Sequence, residues 1–219
     1  MNVHFISKTA LFWGCPEEDI SVMASHLDFK TAQYQKGDII IREGSLITDI
    51  GMVISGSVQM EHNDIWGNKS ILGMVSSGDV FAEAYACVPG EAMMIDVVAN
   101  EDSEILFINV PKLFTPCTSC RSQNLVIQNL VRISAKKNLQ FSRRTLHTSP
   151  KTIRGRLLSY FSYQVLIQGS RKIKIPFDRQ QLADYLNLDR SALSKELGKM
   201  KKEGLLDYHK NEFEIKLEF

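Results

Sequence analysis

Apolar residues in the first 120 positions recur in short runs that turn signals separate. These mostly apolar runs lie at residues 39–41, 50–54, 71–72, 95–98 and 105–110. The signals between them include Gly37-Asp38, Gly56-Ser57 and Gly78-Asp79, and Trp66-Gly67-Asn68 predicts a hairpin turn. Many short strands at regular spacing predict a small all-β barrel or sandwich. Ahead of them, residues 16–27 carry apolar positions at helical spacing and predict a short helix.

Residues 121–146 contain neither Gly nor Pro and predict one long helix. Its apolar flank is too narrow for the core of a monomer but suits the seam between two helices. We therefore predict a dimerisation helix here. The flank consists of Leu125, Val126, Leu130, Ile133 and Ala135.

A hinge is predicted at residues 147–150, where Ser149 suits a helix cap and Pro150 suits the first helical position. The helix that follows extends to about Gln168 and carries apolar residues on one face. Alternating Lys and Ile at residues 172–175 predict a short strand.

Two short helices with a tight turn between them are predicted next. Asp178 and Gln181 have the spacing of a capping box at the start of the first helix. Asn187 lies in the turn and tolerates the left-handed conformation that such a turn needs. Asp189 is placed to cap the second helix, residues 190–202, and the segment after Gly204 predicts a β-hairpin. This order is that of a winged helix-turn-helix.

The outer face of the second helix carries short and basic side chains, which fit the major groove of DNA. Residues at the start of the first helix commonly contact phosphates. The same fold also serves in protein-interaction modules, and a steep loss of binding with rising salt would favour DNA. The predicted DNA-binding residues are Arg179, Gln180, Arg190, Ser191, Ser194, Lys195 and Lys199.

The charges are divided unevenly along the chain. Residues 1–120 hold 6 Lys and Arg against 16 Asp and Glu, whereas residues 121–219 hold 20 against 9. A basic second half favours a polyanionic partner. No apolar run approaches the ~20 residues that span a bilayer, and the first ten residues lack a signal-peptide pattern, so a cytoplasmic protein without a membrane partner is expected.

The whole pattern resembles the Crp/Fnr family of bacterial transcription regulators. The segments that carry the resemblance are residues 34–38, 41–44, 54–58, 78–83, 179–183 and 190–194. The resemblance implies an α+β fold with a β-roll sensor domain (1–120), a dimerisation helix (121–146) and a winged helix-turn-helix domain (147–219). It also implies a homodimer that binds a palindromic site on double-stranded DNA, with RNA polymerase as a further partner.

The expected effector pocket departs from the pattern of cyclic-nucleotide-binding members. Those members use Gly-Glu followed by Arg-Ser, where the arginine pairs with the cyclic phosphate. Here the two positions hold Ala82-Glu83 and Met93-Met94. Without a cation the phosphate would be poorly compensated, so an unknown small-molecule effector other than cyclic AMP or GMP is expected. A filled core without any ligand is the alternative.

Four cysteines give the sequence a second candidate chemistry. Cys117 and Cys120 have the spacing of a metal or redox pair, whereas Cys15 and Cys87 are isolated. A regulator that responds to redox state or holds an iron–sulfur cluster through Cys117 and Cys120 is therefore an alternative. The favoured interpretation is free thiols with no metal and no cofactor. No nucleophile–base pair or phosphate loop is present, which argues against an enzyme.

Overall fold

A computed structural model describes residues 2–63 and 69–216. The chain forms two compact units, Met1–Lys136 and Lys137–Phe219. The predicted turn at Trp66-Gly67-Asn68 lies outside the described residues. Among the described residues, no helix is long and apolar enough to cross a membrane.

The first unit contains short helices and two antiparallel sheets. The helices are α1 (Val3–Ser7), α2 (Glu17–His26), α3 (Glu83–Cys87) and α4 (Val110–Phe114), and α5 (Gln123–Thr148) begins in this unit. The strands are β1 (Lys30–Tyr34), β2 (Ile39–Ile41), β3 (Asp49–Ser55), β4 (Ser57–Asn63), β5 (Lys69–Ser76), β6 (Val80–Phe81), β7 (Asp96–Ala99) and β8 (Ser103–Asn109).

The two sheets have the strand orders β1-β8-β3-β6 and β2-β7-β4-β5 and enclose one apolar interior. Alternation along the strands decides which side chains enter it, since successive residues point to opposite faces. Val53 of β3 and Ile105 of β8 point inward, whereas Met52 and Leu106 point to the helices outside. The predicted β-roll is therefore confirmed, and its first sheet is covered on both faces.

The first half of α5 packs onto the outer core of the first unit. Val126 and Leu130 are buried there, and Asn129 donates to the carbonyls of Leu11 (3.1 Å) and Trp13 (2.9 Å). Leu125 and Ile133 also pack against this core. Most of the flank predicted as a dimer seam thus faces the core of its own chain.

The second unit is a winged helix-turn-helix, as predicted. Its elements after α5 are α6 (Ile153–Gln168), β9 (Lys172–Lys174), α7 (Arg179–Tyr185), α8 (Arg190–Lys202), β10 (Leu206–His209) and β11 (Glu212–Ile215). The three strands form a sheet of order β10-β11-β9. The prediction that Ser149 caps α6 is wrong. Thr152 is the cap, because its hydroxyl accepts from the amide of Gly155 and the helix begins after Pro150.

Candidate nucleic-acid interface

The capping box at the start of α7 forms as the sequence predicts. The Asp178 carboxylate accepts from the Gln181 amide at 2.8 Å, and the Gln181 side chain accepts from the Asp178 amide at 2.9 Å. These two bonds satisfy donors that a helix start leaves free. They fix the orientation of the first helix of the helix-turn-helix, with Leu182 and Ala183 buried beneath it.

The turn between α7 and α8 is held by two arginines from other helices. Asn187 adopts the predicted left-handed conformation, with φ of 52°. Arg144 of α5 donates to the carbonyls of Tyr185 (3.1 Å) and Asp184 (3.0 Å). Arg156 of α6 donates to the carbonyls of Leu186 (3.0 Å) and Asn187 (2.9 Å). The two guanidinium groups thereby satisfy the carbonyls that the end of α7 exposes.

Helix α8 has one buried face and one exposed face. Leu193, Leu197 and Met200 are fully buried in the core of the second unit. The Asp189 carboxylate caps the helix by accepting from the Ala192 amide at 2.8 Å. All members of the opposite face are exposed, and we call this surface the recognition face. It consists of Arg190, Ser191, Ser194, Lys195 and Lys199.

A salt-bridge clamp fixes α8 against α6. Arg154 makes a two-pronged contact with the Glu203 carboxylate at 2.7 and 2.9 Å and donates to Glu196 at 2.6 Å. Hydrogen bonds to Glu203 and Glu196 raise the pKa of Arg154, and the same contact lowers the pKa of Glu203. Planar two-pronged pairs of this kind constrain orientation as well as distance. The clamp therefore holds the recognition face at a fixed angle within its unit.

The two residues predicted at the start of α7 differ in their exposure to solvent. Gln180 is exposed, and its amide donates to Asp184 at 2.8 Å. Arg179 is half-buried, and its guanidinium lies over the rings of Tyr208 (4.8 Å) and Phe213 (5.0 Å) in the wing. Burial lowers the pKa of Arg179. This stacking joins α7 to the wing. An open groove of about 760 Å³ is lined by both residues together with Arg190 and Lys210.

The four predicted effector residues lie in different environments. Met93 is 2% exposed and belongs to the same apolar cluster in the interior of the β-roll as Phe81, whereas Met94 is 71% exposed. Glu83 is buried at the start of α3. Ala82 precedes it with φ of 61°, a conformation that favours glycine, and packs against the edge of the roll interior. The side chains at 93 and 94 therefore do not line one common surface.

Cys117 and Cys120 lie together, and His26 joins them. The ligand atoms of these three residues all lie within 4.8 Å of one another. Hydrogen bonding with Cys120 and Ser119 lowers the pKa of the Cys117 thiol, and burial raises the pKa of Cys120 to about 11. Burial also raises the pKa of Cys15 and of Cys87. Sequence reasoning found the two cysteines by their spacing but missed His26, which is 91 positions away from Cys117.

A buried imidazole at the end of α5 was also missed. His147 is 3% exposed, lies 2.9 Å from the Tyr185 hydroxyl and contacts the rings of Tyr160 and Tyr163. Burial, together with the charge of Arg143, lowers the pKa of His147. A single histidine in a helical sequence does not indicate whether its side chain is buried among aromatic rings.

Family models match both units. The model of the cyclic nucleotide-binding domain matches residues 31–117, and the model of the Crp-like helix-turn-helix domain matches residues 155–217. The chain belongs to the Crp/Fnr family. It is a DNA-binding transcription regulator of that family.

Individual family members have diverged far from this chain. A protein of Thermus thermophilus named "Cyclic AMP receptor protein" is 24% identical over 196 residues, which are 90% of this chain and 87% of that protein. The structure of a Thermus thermophilus catabolite activator protein is 21% identical, with 95% and 94% of the two chains covered and a TM-score of 0.52. CprK complexed with OCPA is 18% identical, with 88% of each chain covered and a TM-score of 0.62. These structures share the fold of this Crp/Fnr protein.

Proposed function

We propose that this Crp/Fnr protein is a homodimer that binds a palindromic operator through the recognition face of α8. The observation that carries the proposal is this face itself, where Arg190, Lys195 and Lys199 stand exposed on a helix whose other side is fully buried. A helix with small and basic outer side chains fits the major groove, and residues near its N-terminus reach base edges.

The surroundings of α8 support binding to the DNA backbone. Gln180 and Lys210 line the same groove as Arg190, so donors are available on both sides of the helix start. Contacts of this kind position a protein on phosphates and carry no sequence information. Arg179 stacks on the ring of Tyr208 in the wing, so we assign it the role of positioning Tyr208. A phosphate contact would be a second role of the same side chain. Ser191 and Ser194 are assigned contacts at the groove floor.

A second copy of the chain is the proposed partner of α5. Exposed side chains on one side of this helix are spaced by three and four residues, the spacing of a two-helix seam. We call this surface the α5 stripe. It consists of Val131, Ala135, Leu139, Ser142 and Leu146. A dimer would offer two recognition faces to successive major grooves, about 34 Å apart, and a bound dimer would act on RNA polymerase.

The proposed input is a small molecule other than cyclic AMP or GMP. The family resemblance places Met93 at the position of the arginine of cyclic-nucleotide-binding members, and the Met93 side chain packs among apolar residues of the roll. Phe81 closes this interior further, since its ring fills the space beside Gly51. An anionic phosphate placed there would lose its hydration without gaining a cation.

Selection of duplexes from a random library tests the proposal. The unaltered chain is expected to enrich an inverted repeat whose half-sites lie one helical turn apart. The double variant Arg190→Ala with Lys195→Ala is expected to lose this enrichment, because its side chains no longer reach base edges. The double variant Lys8→Ala with Lys36→Ala removes the same charge from exposed positions of the first unit and serves as the control. Enrichment of the same repeat by the recognition-face variant would refute the assignment.

A further inference from the structure

Three side chains from distant parts of the sequence converge just before α5. His26 is the last residue of α2, and Cys117 and Cys120 lie in the segment between α4 and α5. One ligand atom from each lies within 4.8 Å of the other two. All three belong to the first unit, and none of them is used by the DNA-binding surface.

We propose that His26, Cys117 and Cys120 bind one thiophilic divalent cation of the zinc class. Two sulfurs and one imidazole nitrogen are ligands that zinc prefers. A tetrahedral zinc ion with bonds of about 2.3 Å to sulfur and about 2.0 Å to nitrogen places two sulfur ligands about 3.8 Å apart and a sulfur and a nitrogen about 3.5 Å apart. The three atoms therefore need to approach one another by about 1.3 Å at most to reach that geometry.

The segment that carries the two cysteines is held in place by other contacts. The amide of Cys120 donates to the carbonyl of Cys117 at 3.4 Å and closes a turn. The buried Gln123 accepts from the Cys117 amide at 3.1 Å and donates to the carbonyls of Leu113 and Thr115, both at 2.7 Å. A site whose ligands are fixed in advance loses little conformational entropy when it binds an ion.

The Ser119 hydroxyl contacts two of the three proposed ligands. Its oxygen is 3.3 Å from the Cys117 sulfur and 3.3 Å from the Nε2 atom of His26. This hydroxyl thus bridges the sulfur and the imidazole without lying on the line between them. Because His26 is exposed and Cys117 is half-buried, an ion can enter from solvent. The fourth coordination position would be filled by water or by an external ligand, as in zinc sites that keep one position open.

A disulfide between Cys117 and Cys120 is the competing use of the two thiols, but it gives His26 no role.

A bound ion would join the end of α2 to the segment that leads into α5. All three ligands belong to the first unit, so the proposed ion site does not depend on the proposed DNA contacts.

Cobalt titration of the reduced full-length chain tests the site directly. One equivalent of Co²⁺ is expected to give tetrahedral ligand-field absorption in the visible range together with sulfur-to-cobalt charge transfer, and Zn²⁺ is expected to abolish both. Cys117→Ser and His26→Gln are expected to weaken binding by at least about 100-fold, since each removes one ligand. Both positions reach solvent, so these variants keep the buried core intact.

Cys87→Ser is the matched control, because it removes a thiol outside the cluster and is expected to bind Co²⁺ like the unaltered chain. Zn²⁺ is also expected to raise the thermal midpoint of the unaltered chain and not that of Cys117→Ser. An octahedral cobalt spectrum without charge transfer, absence of cobalt uptake by the fully reduced chain, or equal affinity in Cys117→Ser and His26→Gln would each overturn the proposal. These measurements contain no DNA, so their failure leaves the proposed operator binding untouched.

Discussion

The buried imidazole of His147 connects a single residue to the stability of the second unit. Its ring is surrounded by Tyr160, Tyr163 and Tyr185, and burial favours the neutral form. The pKa of His147 in the folded chain is therefore below the ordinary value of 6.5. The unfolded chain binds a proton first as the pH falls, so protonation favours the unfolded state. The cost of keeping His147 neutral in the folded chain is absent above pH 6.5. Below pH 6.5 this cost lowers the free energy of unfolding.

Replacing His147 with Gln is expected to reduce the loss of stability between pH 7.5 and pH 5.5. Glutamine keeps a polar group near the Tyr185 hydroxyl but does not titrate in this range. Urea denaturation at both pH values measures the difference. His209→Gln, at an exposed position of the wing, is the control. If the free energy of unfolding falls equally with pH in the unaltered chain and in His147→Gln, then the His147 imidazole is not buried in its neutral form.

Met93 supports a second prediction at the residue scale. Because its side chain occupies the roll interior and carries no charge, cyclic AMP and cyclic GMP are expected to leave the thermal midpoint unchanged. Thermal unfolding with each nucleotide at millimolar concentration measures this. A saturable rise of several degrees would contradict the proposed class of effector.

Contacts that are local in sequence could be predicted, and distant ones could not. The capping box of Asp178 and Gln181 spans three positions, so its spacing alone predicts the hydrogen bonds. The arginines that hold the α7–α8 turn act across much longer separations, 41 positions from Arg144 to Tyr185 and 30 from Arg156 to Leu186. Periodicity carries no information about such partners.

At the scale of elements, α5 shows how a helical pattern can be assigned to the wrong partner. The apolar flank that includes Val126 and Leu130 was predicted to form a dimer seam, and it packs on the core of the first unit instead. Apolar spacing identifies the face of a helix that will be buried. Which partner covers that face depends on α1 and α2, more than 90 positions earlier in the chain. The α5 stripe, on the other side, is therefore the revised seam.

A charge placed in the α5 stripe is expected to dissociate the proposed dimer. Leu139 is 53% exposed, so Leu139→Asp leaves the described core unchanged but would bury a carboxylate in a two-helix seam. Sedimentation velocity is expected to show a monomer for Leu139→Asp. Gln140→Asp introduces the same charge one position away, outside the stripe, and is expected to remain dimeric. A dimeric Leu139→Asp would exclude this seam.

At the scale of the whole molecule, charge and connectivity agree with the family. The acidic residues are concentrated in the first 120 positions and the basic residues in the remainder, which is the half that contains the recognition face. Helix α5 begins in the first unit, and near its end Arg144 holds the helix-turn-helix turn. The charge division was evident from the sequence, whereas this connection required the structure.

The binding of a selected operator duplex, compared with a scrambled duplex of equal length, tests whether this protein recognises a DNA sequence. Fluorescence anisotropy over a salt series gives both affinities. We predict at least about 10³-fold tighter binding to the operator. We also predict a linear fall of log affinity with log salt. Arg190→Ala with Lys195→Ala is expected to reduce the operator preference by at least about 30-fold. Equal affinity of the unaltered chain for both duplexes would show that the recognition face does not read base sequence.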